Sequence, residues 1–328
     1  MLSKIIHVAA PHFYNHHTVT PAIVQLGEYL NVPAEIISLY GGTFQPSEEE
    51  CLLILEGYQF RGEGAAVSSC GSTVDGVRRA FPNSKIIVLG SYSTHCNEYI
   101  EYDHPGKADL HLDTSYNVAR SMRERGIVAD MYLWSGSKSV YDAATEYDKQ
   151  HRNNDKQRDV LCLSRCPNSS PGQHYYERFR LLNGLKERGI FLDVNLEIWN
   201  MDQVFREYED SFIALGTTTP SSDPERNGKG FRDWIAPHLN CLLIHDDYEG
   251  YVDVFKDIVP MYTYGDIDGC TALIRDILDN REKYDDIIKK QVDFAYHNTI
   301  ELQLLRAYNK YIIKTEPNIE LLQKPKDV

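Results

Sequence analysis

Three histidines fall within six residues in Ala10-Pro-His-Phe-Tyr-Asn-His-His-Thr-Val-Thr20, directly after the apolar run Lys4–Ala9. Imidazoles titrate near neutral pH, so His16 and His17 suit acid–base work or contact with a hydroxyl-bearing ligand; a surface cluster of histidines is the alternative. His95 stands in a similar place, in Leu89-Gly-Ser-Tyr-Ser-Thr-His-Cys96 after another apolar run. Zinc would need further ligands at suitable spacing, and no CxxC or HExxH pattern lies nearby, so no metal site is expected.

Cations appear where an apolar run gives way to a loop. Val160-Leu-Cys-Leu-Ser-Arg165 ends on an arginine able to pair bidentately with a diphosphate, or simply to face water. Leu215-Gly-Thr-Thr-Thr-Pro-Ser-Ser-Asp-Pro-Glu-Arg-Asn-Gly-Lys-Gly-Phe-Arg-Asp-Trp234 opens at Gly216 into a hydroxyl- and glycine-rich stretch. It carries Lys229 and Arg232 to a predicted helix start. Amides at such a start, with two cations, make an anion site. The spacing is not GxxxxGK[ST], so this is not a Walker A loop. Cys241-Leu-Leu-Ile-His245 then delivers Asp246 and Asp247, which fail the calcium-loop pattern; they can accept from sugar or ribose hydroxyls, or form a solvated turn.

The elements that must position these residues follow a βαβ rhythm. Strands are expected at 4–9, 34–39, 64–68, 85–89, 109–112 and 128–134, with helices at 21–30, 73–81 and 115–126, Ser115 capping the last. Residues 148–158 contain no aliphatic side chain and suggest an exposed connector. The rhythm restarts at 159–164 and continues through a helix at 175–188, a strand at 191–199, a helix at 202–208 and strands at 211–216 and 241–245. Helices at 268–278 and 281–296 follow, and Asn298-Thr-Ile-Glu301 reads as a capping box. The expectation is α/β: two Rossmann-like doubly wound domains facing a cleft, at 1–150 and 151–314, with C-terminal helices and a frayed tail at 315–328.

Composition narrows the function class. With 328 residues and 42% apolar content, the chain has material for two ordinary cores. Its 34 basic and 48 acidic residues leave a net charge of −14. A nonspecific nucleic-acid coat is therefore not expected, while a local basic groove stays open. Apolar runs are of strand length, so no membrane span is expected. The first residues show no secretory pattern, and seven cysteines form no regular framework, which suggests reduced thiols in the cytoplasm.

The stretch Gly228–Tyr251, with Arg232-Asp-Trp-x-Ala-Pro237 and Cys241-Leu-Leu-Ile-His-Asp246, resembles the C-terminal domain of group 1 glycosyltransferases of the two-Rossmann (GT-B) type. It is similar to the subset related to spore-maturation glycosyltransferases, and the likeness runs on through Phe255 to Tyr296-His-Asn-Thr299. Asp159–Arg165 resembles the strand opening that domain, where an arginine meets the donor diphosphate. The resemblance implies a hexosyl- or pentosyltransferase using a UDP- or GDP-linked sugar as donor substrate, without a metal or other cofactor. The acceptor would be a hydroxyl of a glycan, small molecule or surface polymer, and the lean is toward retention.

On that footing Arg165, Gly216, Lys229, Arg232, Asp246 and Asp247 serve the donor, and His95, His16 and His17 the sugar or acceptor. Nucleic acid enters only as a substrate, in the rival reading of a transferase for modified DNA bases. A non-catalytic sugar or nucleotide sensor is the second rival. Two departures stand out: Ile235 occupies the position of a ribose-gripping glutamate, and Asn240 that of a glycine before the short strand.

Overall fold

The computed structural model describes residues 2–9, 18–38, 46–56, 74–90, 108–152, 156–163, 168, 170–171, 176–194, 200–217, 231–247 and 252–324. The expected strand at 64–68 lies outside them. Two compact units result, the first from Met1–Leu133 with Ile300–Leu322, the second from Trp134–Thr299 with Gln323–Val328.

The first unit holds a six-stranded sheet in the order β2-β1-β3-β4-β5-β6. Its strands are β1 (Lys4–Ala9), β2 (Ala34–Ser38), β3 (Cys51–Glu56), β4 (Lys85–Gly90), β5 (Leu110–Asp113) and β6 (Ala129–Met131), and every pairing is parallel. Register aligns Ile37, Val8, Leu55 and Val88 in one row across the sheet. That row packs under α2 (Val74–Ala80) and α3 (Tyr116–Glu124) through Val77, Val118 and Met122. Each such side chain, fully buried, contributes roughly 1.5–3 kcal/mol. α1 (Thr20–Leu30) packs against α10 (Ile300–Ala307), which the chain returns to this unit from its far end.

The second unit repeats the plan. Its five parallel strands are β7 (Arg158–Cys162), β8 (Leu192–Val194), β9 (Ser211–Gly216), β10 (Leu242–Asp246) and β11 (Met261–Tyr262), in the order β11-β10-β9-β7-β8. Leu192, Val160, Ile213 and Leu242 form the matching row. α5 (Tyr176–Glu187) and α8 (Ile267–Asp279) cover it. The remaining elements of this unit are α4 (Lys138–His151), α6 (Met201–Glu209), a 3-10 helix (Phe231–Leu239), α7 (Val252–Phe255), a short 3-10 turn (Arg281–Tyr284) and α9 (Asp285–His297). In each sheet the first strand has its second on one side and its third on the other. The winding reverses between β1 and β3, and between β7 and β9.

Local chemistry accounts for the helix ends. Ser115 Oγ accepts the Val118 N–H, Asn200 Oδ1 that of Gln203, and Asp266 Oδ1 that of Gly269. α3 and α5 stop in the same way: Gly126 and Gly189, both at φ 79°, turn the chain, and Ile127 and Ile190 donate back to Met122 and Leu185.

The two compact units divide the chain at Leu133–Trp134, ahead of α4. Within 148–158, α4 runs through His151, Asp148 is buried, and Lys156 donates to the carbonyls of Glu209 and Leu239 at 2.7 and 3.2 Å, while Lys149, Gln150, His151, Arg152 and Gln157 are exposed as expected. α10 begins at Ile300, Thr299 Oγ1 is buried with no partner among the described residues, and Asn298 Oδ1 accepts the Gln323 N–H at 2.8 Å. The tail is docked, not frayed, over its described part. Leu321 is buried and its carbonyl takes a hydrogen bond from the buried Arg306 guanidinium at 2.9 Å, because a buried cation needs an acceptor.

Two glutamines finish the sheets. On the side away from β9, β10 lacks a neighbour over its first residues, because β11 pairs only with His245 and Asp246. Gln291, from α9, bonds both the N–H and the C=O of Leu243 and also the Ile258 carbonyl. Gln303, from α10, does the same for Leu133 beyond β6. Each amide supplies what a missing strand would. Among the described residues no helix is long and apolar enough to cross a membrane.

Candidate functional site

The carboxyl edge of the second sheet, at the β7/β9 reversal, concentrates the described residues capable of ligand chemistry. β9 ends at Gly216 because nothing larger fits: a Cβ there would overlap the His245 ring. His245 and Asp246 are both buried, with His245 Nδ1 2.5 Å from Asp246 Oδ1 and 3.2 Å from its main-chain oxygen. The Tyr262 hydroxyl donates to the Gly216 carbonyl at 3.3 Å. Burial, with the Asp246 carboxylate adding to it, holds that phenol well above its ordinary range, so it stays a neutral donor. Burial followed by the Glu177 and Asp246 carboxylates pushes Tyr264 up to about 12.

Arg178 is the residue that sequence reading missed. It lies in the first turn of α5, 5% exposed, and its Nε donates to Thr217 Oγ1 at 2.7 Å while Nη2 reaches the Thr217 carbonyl at 3.4 Å. Its spacing held a signal. Arg178, Leu181, Leu182 and Leu185 follow the i, i+3, i+4, i+7 pattern of a buried stripe, and all four are buried. A cation on such a stripe marks a place where charge is needed inside. Beside it Arg180 bonds Glu177 and the Gly265 carbonyl at 2.8 and 2.9 Å.

The remaining candidates are placed as follows. Asp247 is exposed, and its Oδ1 accepts the Tyr264 N–H at 2.7 Å, which ties the end of β10 to the turn leaving β11. Arg232 stands at the start of the 3-10 helix. Ile235, at the position of the glutamate in the resembling family, is fully buried, as are Trp234 and Ala236 on either side. That position belongs to the core here. His16, His17, His95, Arg165 and Lys229 lie outside the described residues. In the first unit, Asp113 is buried at the end of β5 and its Oδ1 accepts the Ser115 N–H at 2.8 Å; a Cβ at Gly90 would overlap its carboxylate. Among the described residues no group of three or more His, Cys, Asp and Glu is disposed to hold a metal ion.

The chain aligns over nearly its whole length with solved proteins. An alpha-glucosyltransferase in complex with UDP and a 13-mer DNA containing an HMU base matches with a TM-score of 0.58, 11% identity, 96% of this chain and 100% of that one. The Anabaena protein Alr3699/HepE, in complex with UDP and glucose, matches at 0.56 and 10%, over 97% and 100%. The fold is that of the GT-B glycosyltransferases. UDP-GlcNAc 2-epimerase from Neisseria meningitidis, bound to UDP-GlcNAc, matches at 0.52 and 8%, over 94% and 100%. No protein-family model matches the chain, and no curated protein sequence does.

Proposed function

We propose that the chain is a glycosyltransferase, moving a hexose or pentose from a UDP- or GDP-linked donor to an acceptor hydroxyl without a metal ion. One observation carries the reading: the chain aligns over nearly its whole length with proteins solved with UDP, two of them with UDP beside glucose or a DNA substrate. The reversal point of the second sheet, where ligands of such folds bind, holds the buried Arg178 and the Gly216–Thr217 turn. In this reading Arg165, Lys229 and Arg232 face the diphosphate and stabilise the leaving group as fixed charges. Asp247 accepts from the ribose, since Ile235 has no oxygen to do so, with Asp246 as its buried neighbour. His16, His17 or His95 contacts the sugar or acceptor.

A second reading, transfer to a modified base in DNA, is favoured by the DNA-bound alpha-glucosyltransferase and opposed by the net charge of −14. The test incubates the protein with UDP- and GDP-sugars, with glycan acceptors or with DNA bearing hydroxymethylated bases, in excess EDTA. Release of nucleoside diphosphate together with a glycosylated acceptor is expected. Interconversion of the nucleotide sugar alone would make it an epimerase, and binding without turnover a sensor.

A further inference from the structure

Thr217 directly follows β9, with its side chain turned against a buried cation. A threonine hydroxyl has two lone pairs and a single proton. One lone pair is taken by Arg178 Nε at 2.7 Å, so the hydroxyl is held in one orientation and polarised by a full positive charge. The same guanidinium holds the Thr217 carbonyl, fixing the main chain where the strand ends. The proton of that hydroxyl finds no acceptor among the described residues, although Thr217 is only 7% exposed. A buried donor left without an acceptor is costly, so such groups normally have partners.

We infer that Thr217 donates its hydroxyl proton to a phosphate oxygen of a bound nucleoside diphosphate, and that Arg178 is the positioning residue that aims it. Two facts converge on an anionic oxygen as the missing acceptor. The hydroxyl stands at the reversal point of the sheet, on the carboxyl edge. The buried guanidinium adds a positive field that a neutral acceptor would not exploit. The inference rests on the nucleotide-sugar reading above and adds to it Arg178, which lies outside the hydroxyl- and glycine-rich stretch that contains Thr217.

The experiment compares the wild type with Thr217→Val, Thr217→Ser, Arg178→Lys and the Thr217→Val/Arg178→Lys double variant. Affinity for UDP is measured by calorimetry, and for uridine, which lacks the phosphates, by ligand-observed NMR. Thr217→Val keeps the shape and removes the donor, so UDP affinity is expected to fall roughly 10- to 100-fold, the range for a hydrogen bond to a charged group. Uridine affinity should stay unchanged, and Thr217→Ser should retain most UDP binding. Arg178→Lys should lose a comparable factor, and the double variant no more than either alone. Wild-type affinity for UDP in Thr217→Val overturns the inference. So does an equal loss of UDP and uridine, which would mark a structural role. Additive losses overturn the positioning role of Arg178. A wild type that binds neither UDP nor GDP removes the nucleotide-sugar reading itself, and this inference with it.

Discussion

His238 offers a sharp test of how the second unit is packed. It sits near the end of the 3-10 helix, 4% exposed, stacked on Tyr141 with ring centroids 4.4 Å apart and edge-on to Tyr296 at 4.9 Å. Nδ1 lies 3.1 Å from Thr145 Oγ1, while Nε2 is buried with no partner among the described residues. The Tyr296 hydroxyl bonds Thr145 at 3.3 Å and Asp142 at 3.1 Å, and Lys138 pairs with Asp142 at 2.6 Å. An imidazolium could not be solvated there. Burial lowers the His238 pKa from 6.5 to about 3, only partly opposed by Asp142. The folded state thus resists a proton that the unfolded chain accepts below about 6.5. Stability is full above that pH and declines as pH falls toward 3. The fall amounts to roughly 2 kcal/mol by pH 5 and about 3 by pH 4. Many carboxylates titrate over the same range, so the assay is a difference. Urea unfolding of the wild type and of His238→Phe, which keeps the stack without the titrating nitrogen, is followed between pH 7.5 and 5. The variant should lose roughly 2 kcal/mol less than the wild type over that interval. Identical slopes, or a His238 NMR titration centred near 6.5, would refute the packing argument.

Gln291→Leu should destabilise the protein by roughly 2–4 kcal/mol in denaturant titration, since the Leu243 N–H and C=O lose the partner that replaces a strand. Gly216→Ala must displace the buried His245 ring and is expected to cost about 1–3 kcal/mol, read as a lower Tm, and to weaken UDP binding. Asp247→Asn should weaken UDP roughly tenfold but 2′-deoxy-UDP much less, measured by calorimetry, because the deoxy ligand already lacks a hydroxyl to donate; equal losses would remove Asp247 from the ribose. Sugar transfer should persist in excess EDTA, and loss restored by magnesium or manganese would place an ion in the site.

Much of the architecture is written locally. Apolar runs of four to six residues gave the strands at 4–9, 85–90 and 211–216 nearly to the residue. Ser115 acts through a bond to Val118, three positions away, which is why its role was legible. The parallel α/β class followed from the alternation alone. The site was legible only as loops and strand ends: Gly216 and the Asp246–Asp247 pair do stand at the carboxyl edge, but what each side chain touches was not foreseeable.

Those contacts join residues far apart in the chain, and only the folded sheet brings them together. Arg178 meets Thr217 across 39 positions, Gln291 meets Leu243 across 48, and Gln303 meets Leu133 across 170. The same holds for Ile235, whose type suggests a lost ligand until its burial shows a core residue, and for the tail, tied down by Arg306 and Asn298. Sequence spacing encodes which face of an element is apolar; which polar group is buried against it depends on partners that tertiary packing alone selects.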